Sequence, residues 1–417
     1  MSNICLTQMG FGRQRILFVA ESLTLAQVVR LVALARSLDE ARYEVHFAST
    51  EFDPIAFQGT DFRRWPLFGI DKREGMRKLE RGRRLYELDV LRRYVAAELE
   101  LIARVRPALV VGDFRLSLPT SAAVSGVRCA TLINAYWSPY AERDGFPVPD
   151  HPIVSLLGVE LAERYFPRAV PSAFAHFAAP VNALRKAYGL PAVDSLLGVL
   201  TQGDLVLYPD IPELCPTRDL PAHHHYLGHI PWAPDVALPW DFDGRDGKQL
   251  VYLTLGSSGR ASALPAVLEA LSDLPVTVLL ASAGKELPSS LPENVRAAEY
   301  LPGDRAARLA SVVVTNGGSS TGYQALALGR PVLGLPSNLD QYLAMTAIQK
   351  AGAGRLVRAR EGTPREIRAA LLELLNSSET ATRAHALARA FQRVSCHERF
   401  ERILIQTSLG EQGARHS

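Results

Sequence analysis

Short apolar, β-branched runs alternate with stretches of helical spacing, and the alternation occurs twice, once on each side of a turn-rich break. Nothing else in the chain limits its fold as strongly. Arg15 to Ala20 is the first such run, Leu25 to Leu38 follows with apolar residues at helical spacing, and Tyr43 to Ser49 is a second strand. Tyr86 to Val105 reads as a helix, Ala108 to Asp113 as a buried strand and Cys129 to Asn134 as another. The stretch from about 140 to 200 is rich in Pro, Ala and aromatics and is predicted helical, before Asp204 to Tyr208 returns to strand. Prolines, a His223-His224-His225 run and a polar segment then mark Pro216 to Gly247 as linker-like, and the linker between the two domains is placed at 231–248. Beyond it, Gln249–Leu255, Val276–Ser282, Val295–Leu301, Ser311–Thr315 and Pro331–Leu335 again alternate with helices.

Strands separated by helices imply parallel sheets covered on both faces. The predicted fold is α/β: two doubly wound, Rossmann-like domains over 1–230 and 249–390, facing a cleft at the C-terminal ends of their strands. The tail, 391–417, is predicted to cross back as part of a long helix over about 379–408. Composition agrees and narrows the functions. Of the 417 residues 47% are hydrophobic and 21% charged, enough apolar material for two cores and too much for a disordered chain. A net charge of +3 is too balanced for a dedicated nucleic-acid binder. Cys5, Cys129, Cys215 and Cys396 lie far apart, arguing against a disulfide framework or a zinc finger. The apolar run Ile16–Ala20 stops at Glu21, too short for a signal peptide, and no run approaches the ~18 residues of a membrane span. A soluble, cytoplasmic protein is expected. One local departure is Arg63 to Arg93, with eleven Lys or Arg against five Asp or Glu. That stretch reads as a solvated helix face, or as a basic flap that attracts an anionic acceptor or a membrane surface.

The segment from Ser311 to Pro331 carries the chemistry. A β-branched strand ends at Thr315, Asn316-Gly317-Gly318 makes a tight turn, and Ser319 or Ser320 caps a helix closed by Gly329. Glycines admit a ligand close to the backbone, and a helix start offers unpaired N–H groups and a positive dipole end, which suits a diphosphate.

Upstream, Val251-Tyr-Leu-Thr-Leu-Gly256-Ser257-Ser258 ends a strand, and Tyr300-Leu301-Pro302 precedes the glycine turn. Downstream come Pro336-Ser-Asn-Leu-Asp340-Gln341 and, one helix later, Gly352-Ala-Gly354. In this order the segments resemble the donor domain of GT-B nucleotide-sugar glycosyltransferases of the macrolide and UDP-glucuronosyl type. Asn182-Ala-Leu-Arg185 and Gly189-Leu-Pro191 resemble the family's middle region, so the likeness extends over nearly the whole chain. It implies an acceptor-binding N-terminal domain and a donor-binding C-terminal one. By the same resemblance Gly256, Ser257 and Ser258 lie beside phosphates or sugar, and the backbone at Leu301 meets the base. Asn316, Gly317, Gly318, Ser319, Ser320 and Thr321 hold the diphosphate, Gln324 the ribose, and Asp340 and Gln341 the sugar hydroxyls. The implied partners are a uridine or thymidine diphospho-sugar and a hydroxyl-bearing small-molecule or lipid acceptor, with no cofactor and no metal.

Three positions depart from the family pattern. Asn316 replaces a phosphate-contacting histidine, Gln324 replaces a ribose-binding glutamate, and Gln27 stands where the family carries the histidine that deprotonates the acceptor. An amide cannot serve as that base. Asp113, matching the aspartate that partners the missing histidine, is the first candidate to replace it, and Glu21 at the end of the first strand is the second. His46 reads as structural or surface. Asp241-Phe-Asp243 mimics a D-x-D metal motif but falls in the linker, and the three consecutive histidines alternate faces on a strand, so no metal site is expected. The sequence reads as an inverting, metal-independent glycosyltransferase. The alternatives are a catalytically degenerate nucleotide-sugar-binding or helper protein and an enzyme of the UDP-N-acetylglucosamine 2-epimerase type.

Overall fold

A computed structural model describes residues 13–151, 154, 158–241, 247–256, 258–360 and 362–414. Strand β1 is Gln14–Ala20, with its last five residues buried. Its side chains alternate between two cores. Ile16, Phe18 and Ala20 join one with Val28, Leu31 and Val32 of the helix Leu25–Arg36, while Leu17 and Val19 join another with Leu101, Ile102 and Val105 of the helix Leu88–Val105. A strand buried on both faces reads as a continuous apolar run, which is why this one was legible.

β1 lies between β2 (Tyr43–Ser49) and β4 (Leu109–Asp113), both parallel to it. With β3 (Arg63–Pro66), β5 (Arg128–Leu132), β6 (Leu205–Tyr208) and β7 (His224–Tyr226), the first sheet has the order β3-β2-β1-β4-β5-β6-β7. The second sheet, β10-β9-β8-β11-β12-β13, is built from β8 (Gln249–Thr254), β9 (Val276–Ala281), β10 (Val295–Ala298), β11 (Val312–Thr315), β12 (Val332–Gly334) and β13 (Gly354–Leu356), and it too is parallel. In each sheet the order reverses between the central pair, β1 and β4 or β8 and β11. Doubly wound sheets bind ligands at that reversal. Register sets Ala20 beside Asp113 and Thr254 beside Thr315 at the two reversal points. One apolar cluster joins the halves, running from Ile133, Val206 and Tyr208 to Leu250, Tyr252 and Val313.

Two expectations need correction. The segment Pro216–Gly247 is not linker throughout, because His224–Tyr226 pairs with β6 as the outer strand β7. The single helix expected over 379–408 is two, Ser378–Gln392 and Cys396–Ala414. Ser395 starts the second, its Oγ accepting from Glu398 N at 3.3 Å. The break divides the burial: Ala384, Leu387 and Phe391 pack in the core shared with the second sheet, and Phe400, Ile403 and Leu404 pack under β1. The C-terminal segment thus returns to the first domain.

Candidate active site between the two sheets

A cavity of about 780 Å³ opens at both reversal points and joins them. On the second-sheet side it is lined by the turn after β11. Gly318 is the N-cap of the helix Ser319–Ala327, so the capping position is the glycine and not Ser319 or Ser320. The Asn316 side chain organises this turn in place of a serine cap. Its Oδ1 accepts from Gly318 N at 3.1 Å and its Nδ2 donates to Ser258 Oγ at 3.1 Å, tying the turn to the loop after β8. Gly317 has φ +82°, and a Cβ there would sit 2.8 Å from Met345 Cγ. Only glycine fits. Lys285 holds the loop after β8 from behind, donating to the carbonyls of Gly256 at 2.5 Å and Gly259 at 2.7 Å; burial pushes its ammonium down to about 8. Gln324 and Leu301 line the same part of the cavity, and Gln324 Nε2 donates to Trp232 O at 2.9 Å. Ser257 lies outside the described residues.

Across the cleft stands Asp113, fully buried at the end of β4. Arg30, projecting from the first-domain helix, grips it through Nη2 to Oδ1 at 2.8 Å and Nε to Oδ2 at 2.9 Å. Burial pushes the Asp113 carboxyl up to about 6, against the opposing pull of the Arg30 guanidinium. Arg30 also donates through Nη1 to Asn134 Oδ1 at 2.8 Å. The same Asn134 oxygen accepts from Ser319 Oγ at 3.2 Å, so one amide connects the buried ion pair to the first residue of the donor-side helix. Asn134 Nδ2 points to Asp210 at 3.2 Å, and Tyr323 OH donates to that carboxylate at 2.6 Å. Burial raises the Asp210 carboxyl above its ordinary range.

Asp340 spans the cleft as well. Its Oδ1 accepts from Trp137 Nε1 at 2.7 Å and Tyr136 OH at 3.0 Å. Gln341 lines the cavity too, but its side-chain oxygen is committed to the helix start, accepting from Ser337 N at 2.9 Å while Asn338 Oδ1 caps Gln341 N at 3.0 Å.

Glu21, the second candidate base, neighbours Asp113 through its backbone N–H, 3.4 Å from Asp113 O, but its side chain does not join this group. Strand alternation sends its side chain to the other face of the sheet, where it is 1% exposed and accepts from Tyr94 OH at 3.2 Å and Arg115 at 3.4 Å. It does not line the cavity. Gln27 does, yet its Oε1 accepts from Thr24 N at 3.1 Å in a capping box at the start of its helix. His46 is buried and accepts from Trp65 Nε1 at 3.0 Å. His224 Nδ1 lies 2.6 Å from Tyr208 OH, and Asp243 lies outside the described residues. No cluster of three His, Cys, Asp or Glu placed to hold a metal occurs among the described residues.

The sequence reading missed Arg30, Asn134, Asp210, Tyr136 and Trp137. A signal was available for two of them: Asn134 and Asp210 stand two residues beyond the C-terminal ends of β5 and β6, where doubly wound sheets gather functional side chains.

Several solved proteins of this shape are named glycosyltransferases. Residues 265–395 match the family described as erythromycin biosynthesis protein CIII-like, C-terminal domain. The spinosyn rhamnosyltransferase SpnG, solved in complex with thymidine diphosphate, superposes with a TM-score of 0.67 at 19% identity, covering 94% of this chain and 99% of that one. The fold is GT-B. Closer in sequence is a PGL/p-HBAD biosynthesis glycosyltransferase of Mycobacterium tuberculosis (strain ATCC 25177 / H37Ra), 44% identical over 381 residues, 91% of this chain and 89% of its own. A PGL/p-HBAD biosynthesis rhamnosyltransferase of Mycobacterium bovis (strain BCG / Pasteur 1173P2) is 44% identical over 384 residues, 91% of this chain and 85% of its own. A shorter match from the same strain, 43% identical over 261 residues and 62% of this chain, is named an inactive member. The chain belongs to this family of glycosyltransferases. Family membership selects sugar transfer over the epimerase alternative.

Proposed function

We propose that the chain is an inverting glycosyltransferase that takes a sugar from a uridine or thymidine diphospho-sugar and gives it to the hydroxyl of a largely apolar acceptor. The observation that carries this reading is the continuity of the cavity. It runs from the glycine turn, past Asp340 and Asp113, into a first-domain chamber lined by Val170, Phe174, Phe177, Val181 and Leu200. Such a chamber suits an acceptor with an extended apolar body, and its hydroxyl would reach Asp113 at the inner end. The name of one relative specifies rhamnosyl transfer, which supports a diphospho-sugar donor of this kind.

In this reading the diphosphate rests on the N–H groups of the first turn of Ser319–Ala327, with the Gly318 N–H held by Asn316 Oδ1. The helix dipole stabilises the leaving charge in place of a cation. Asp340 holds the sugar. Asp113 takes the acceptor proton as the oxygen attacks the anomeric carbon from the face opposite the diphosphate. Arg30 keeps the buried carboxylate ionised and aimed; each of its oxygens has two acceptor sites, so the grip leaves room for the substrate hydroxyl.

The test is a transfer screen of the purified protein with uridine and thymidine diphospho-sugars, a rhamnosyl donor included, against hydroxyl acceptors of increasing alkyl length. Turnover should rise with the apolar length of the acceptor. Equal turnover for short polar and long apolar acceptors would contradict the assignment of the chamber.

A further inference from the structure

The acceptor chamber is lined in part by exposed residues. Among the described residues that line it, the exposed ones are Gly82, Arg83, Tyr165 and Ala169. The mouth therefore lies between the segment 72–84 and the long helix Val159–Ala187. Its two rims differ in chemistry. Between 72 and 84 the sequence places seven Lys or Arg against two Glu, and Lys72, Arg73, Arg77, Arg81 and Arg83 are exposed. On the opposite rim Leu161, Tyr165 and Ala169 recur every four residues and so share one helix face. Leu161 is 47% and Tyr165 50% exposed, the two most exposed large hydrophobic residues described. The guanidinium carbons of Arg164 and Arg168 lie 6.0 and 5.9 Å from the centre of the Tyr165 ring, so the aromatic is flanked by cations.

We infer that this mouth docks on an anionic lipid bilayer, so that an apolar acceptor passes from the membrane into the chamber. The inference rests on the proposed role of the chamber. Basic side chains beside solvent-exposed Leu and Tyr supply the two attractions that interfacial binding needs, charge toward lipid headgroups and apolar insertion at the headgroup level. A surface-charge explanation alone leaves Leu161 and Tyr165 without a reason to face water. Among the described residues no helix is long and apolar enough to cross a membrane, so any attachment by these elements is peripheral.

The test is co-sedimentation of the full chain with vesicles of phosphatidylcholine alone and of phosphatidylcholine mixed with phosphatidylglycerol, without donor or acceptor. The protein should sediment with the mixed vesicles, and added salt should release it. Each basic residue near a bilayer contributes about fivefold in partition. The triple variant Arg73→Gln, Arg77→Gln, Arg81→Gln should therefore bind roughly a hundredfold less, and Leu161→Ser should weaken binding without altering its salt dependence. Hydrolysis of the donor sugar in vesicle-free buffer should be unchanged in all of them, which shows that the variants are folded. Failure to sediment with mixed vesicles at low salt would overturn the inference and point to an acidic protein that presents the acceptor. Sedimentation unaffected by the triple variant would overturn it too. Neither result touches the proposed transfer reaction, which the acceptor-length screen judges separately.

Discussion

Arg30 and Asp113 meet in two side-by-side hydrogen bonds of 2.8 and 2.9 Å at the point where the strand order of the first sheet reverses. The carboxylate is completely buried, and the guanidinium side chain is 12% exposed. A planar fork on a carboxylate fixes direction as well as charge. In the proposed reaction the fork orients Asp113, which takes the acceptor proton in place of the histidine absent at Gln27.

Breaking that pair should cost both stability and activity. Arg30→Gln leaves an uncompensated buried carboxylate, and losses of about 3–5 kcal/mol are typical when one partner of such a pair is removed. Paired replacement by Arg30→Met and Asp113→Leu should recover most of the loss in a denaturant titration while remaining inactive. Full stability of the single variant would mean that the pair is not buried in solution.

Turnover should fall on the acid side with a midpoint at about 6. Burial raises the Asp113 carboxyl to about 6, and a base must be deprotonated to work, so activity rises as pH climbs through that value and is lost below it. Arg30 opposes the rise, so Arg30→Lys, which keeps the charge but not the fork, should shift the midpoint less than Arg30→Gln, which moves it upward. A midpoint near the ordinary carboxylate range would show that another group is being titrated.

Asp340 and the glycine turn should separate sugar from phosphate recognition. Asp340→Ala removes the acceptor of the Trp137 and Tyr136 bonds and should impair use of the sugar-bearing donor while leaving uridine or thymidine diphosphate affinity nearly unchanged. Equal loss for both ligands in a titration calorimeter would argue against a sugar role. Gly318→Val should abolish binding of both. Its φ of −68° and ψ of 143° suit a β-branched residue, and a Cβ there meets Asn316 Oδ1 at 3.3 Å, so the turn must give slightly while the side chain blocks the helix start. Chelator should leave turnover intact, because the counter-charge comes from backbone; a requirement for manganese would redirect attention to metal ligands.

Much of the donor side was readable because its information is local. The strand, the glycine turn and the cap of Ser311–Pro331 fall within one short segment, and β1 and β8 announce themselves through burial on both faces. The two outer strands of the first sheet were not readable. β3 is Arg-Arg-Trp-Pro with three of its four residues exposed, and a proline-ended edge strand shows no apolar alternation. β7 hides in a histidine run among prolines. The acceptor side failed for another reason. Arg30 meets Asp113 from 83 residues away and Ser319 meets Asn134 from 185, so these contacts depend on strand register and on how the sheets face each other. Glu21 passed as a candidate because it ends a strand at the cleft, but one residue of alternation places it on the wrong face.

In the proposed reaction Asp113 is the base of a sugar transfer whose donor sits in the opposite domain. The most direct measurement compares turnover and donor affinity of Asp113→Asn with the unaltered protein on one nucleotide-sugar and acceptor. Asparagine keeps the shape and the bond to Arg30 through its oxygen but accepts no proton. Turnover should fall roughly 10²- to 10⁴-fold, the usual contribution of a general base, with donor affinity unchanged. Near-full turnover in Asp113→Asn would contradict the account.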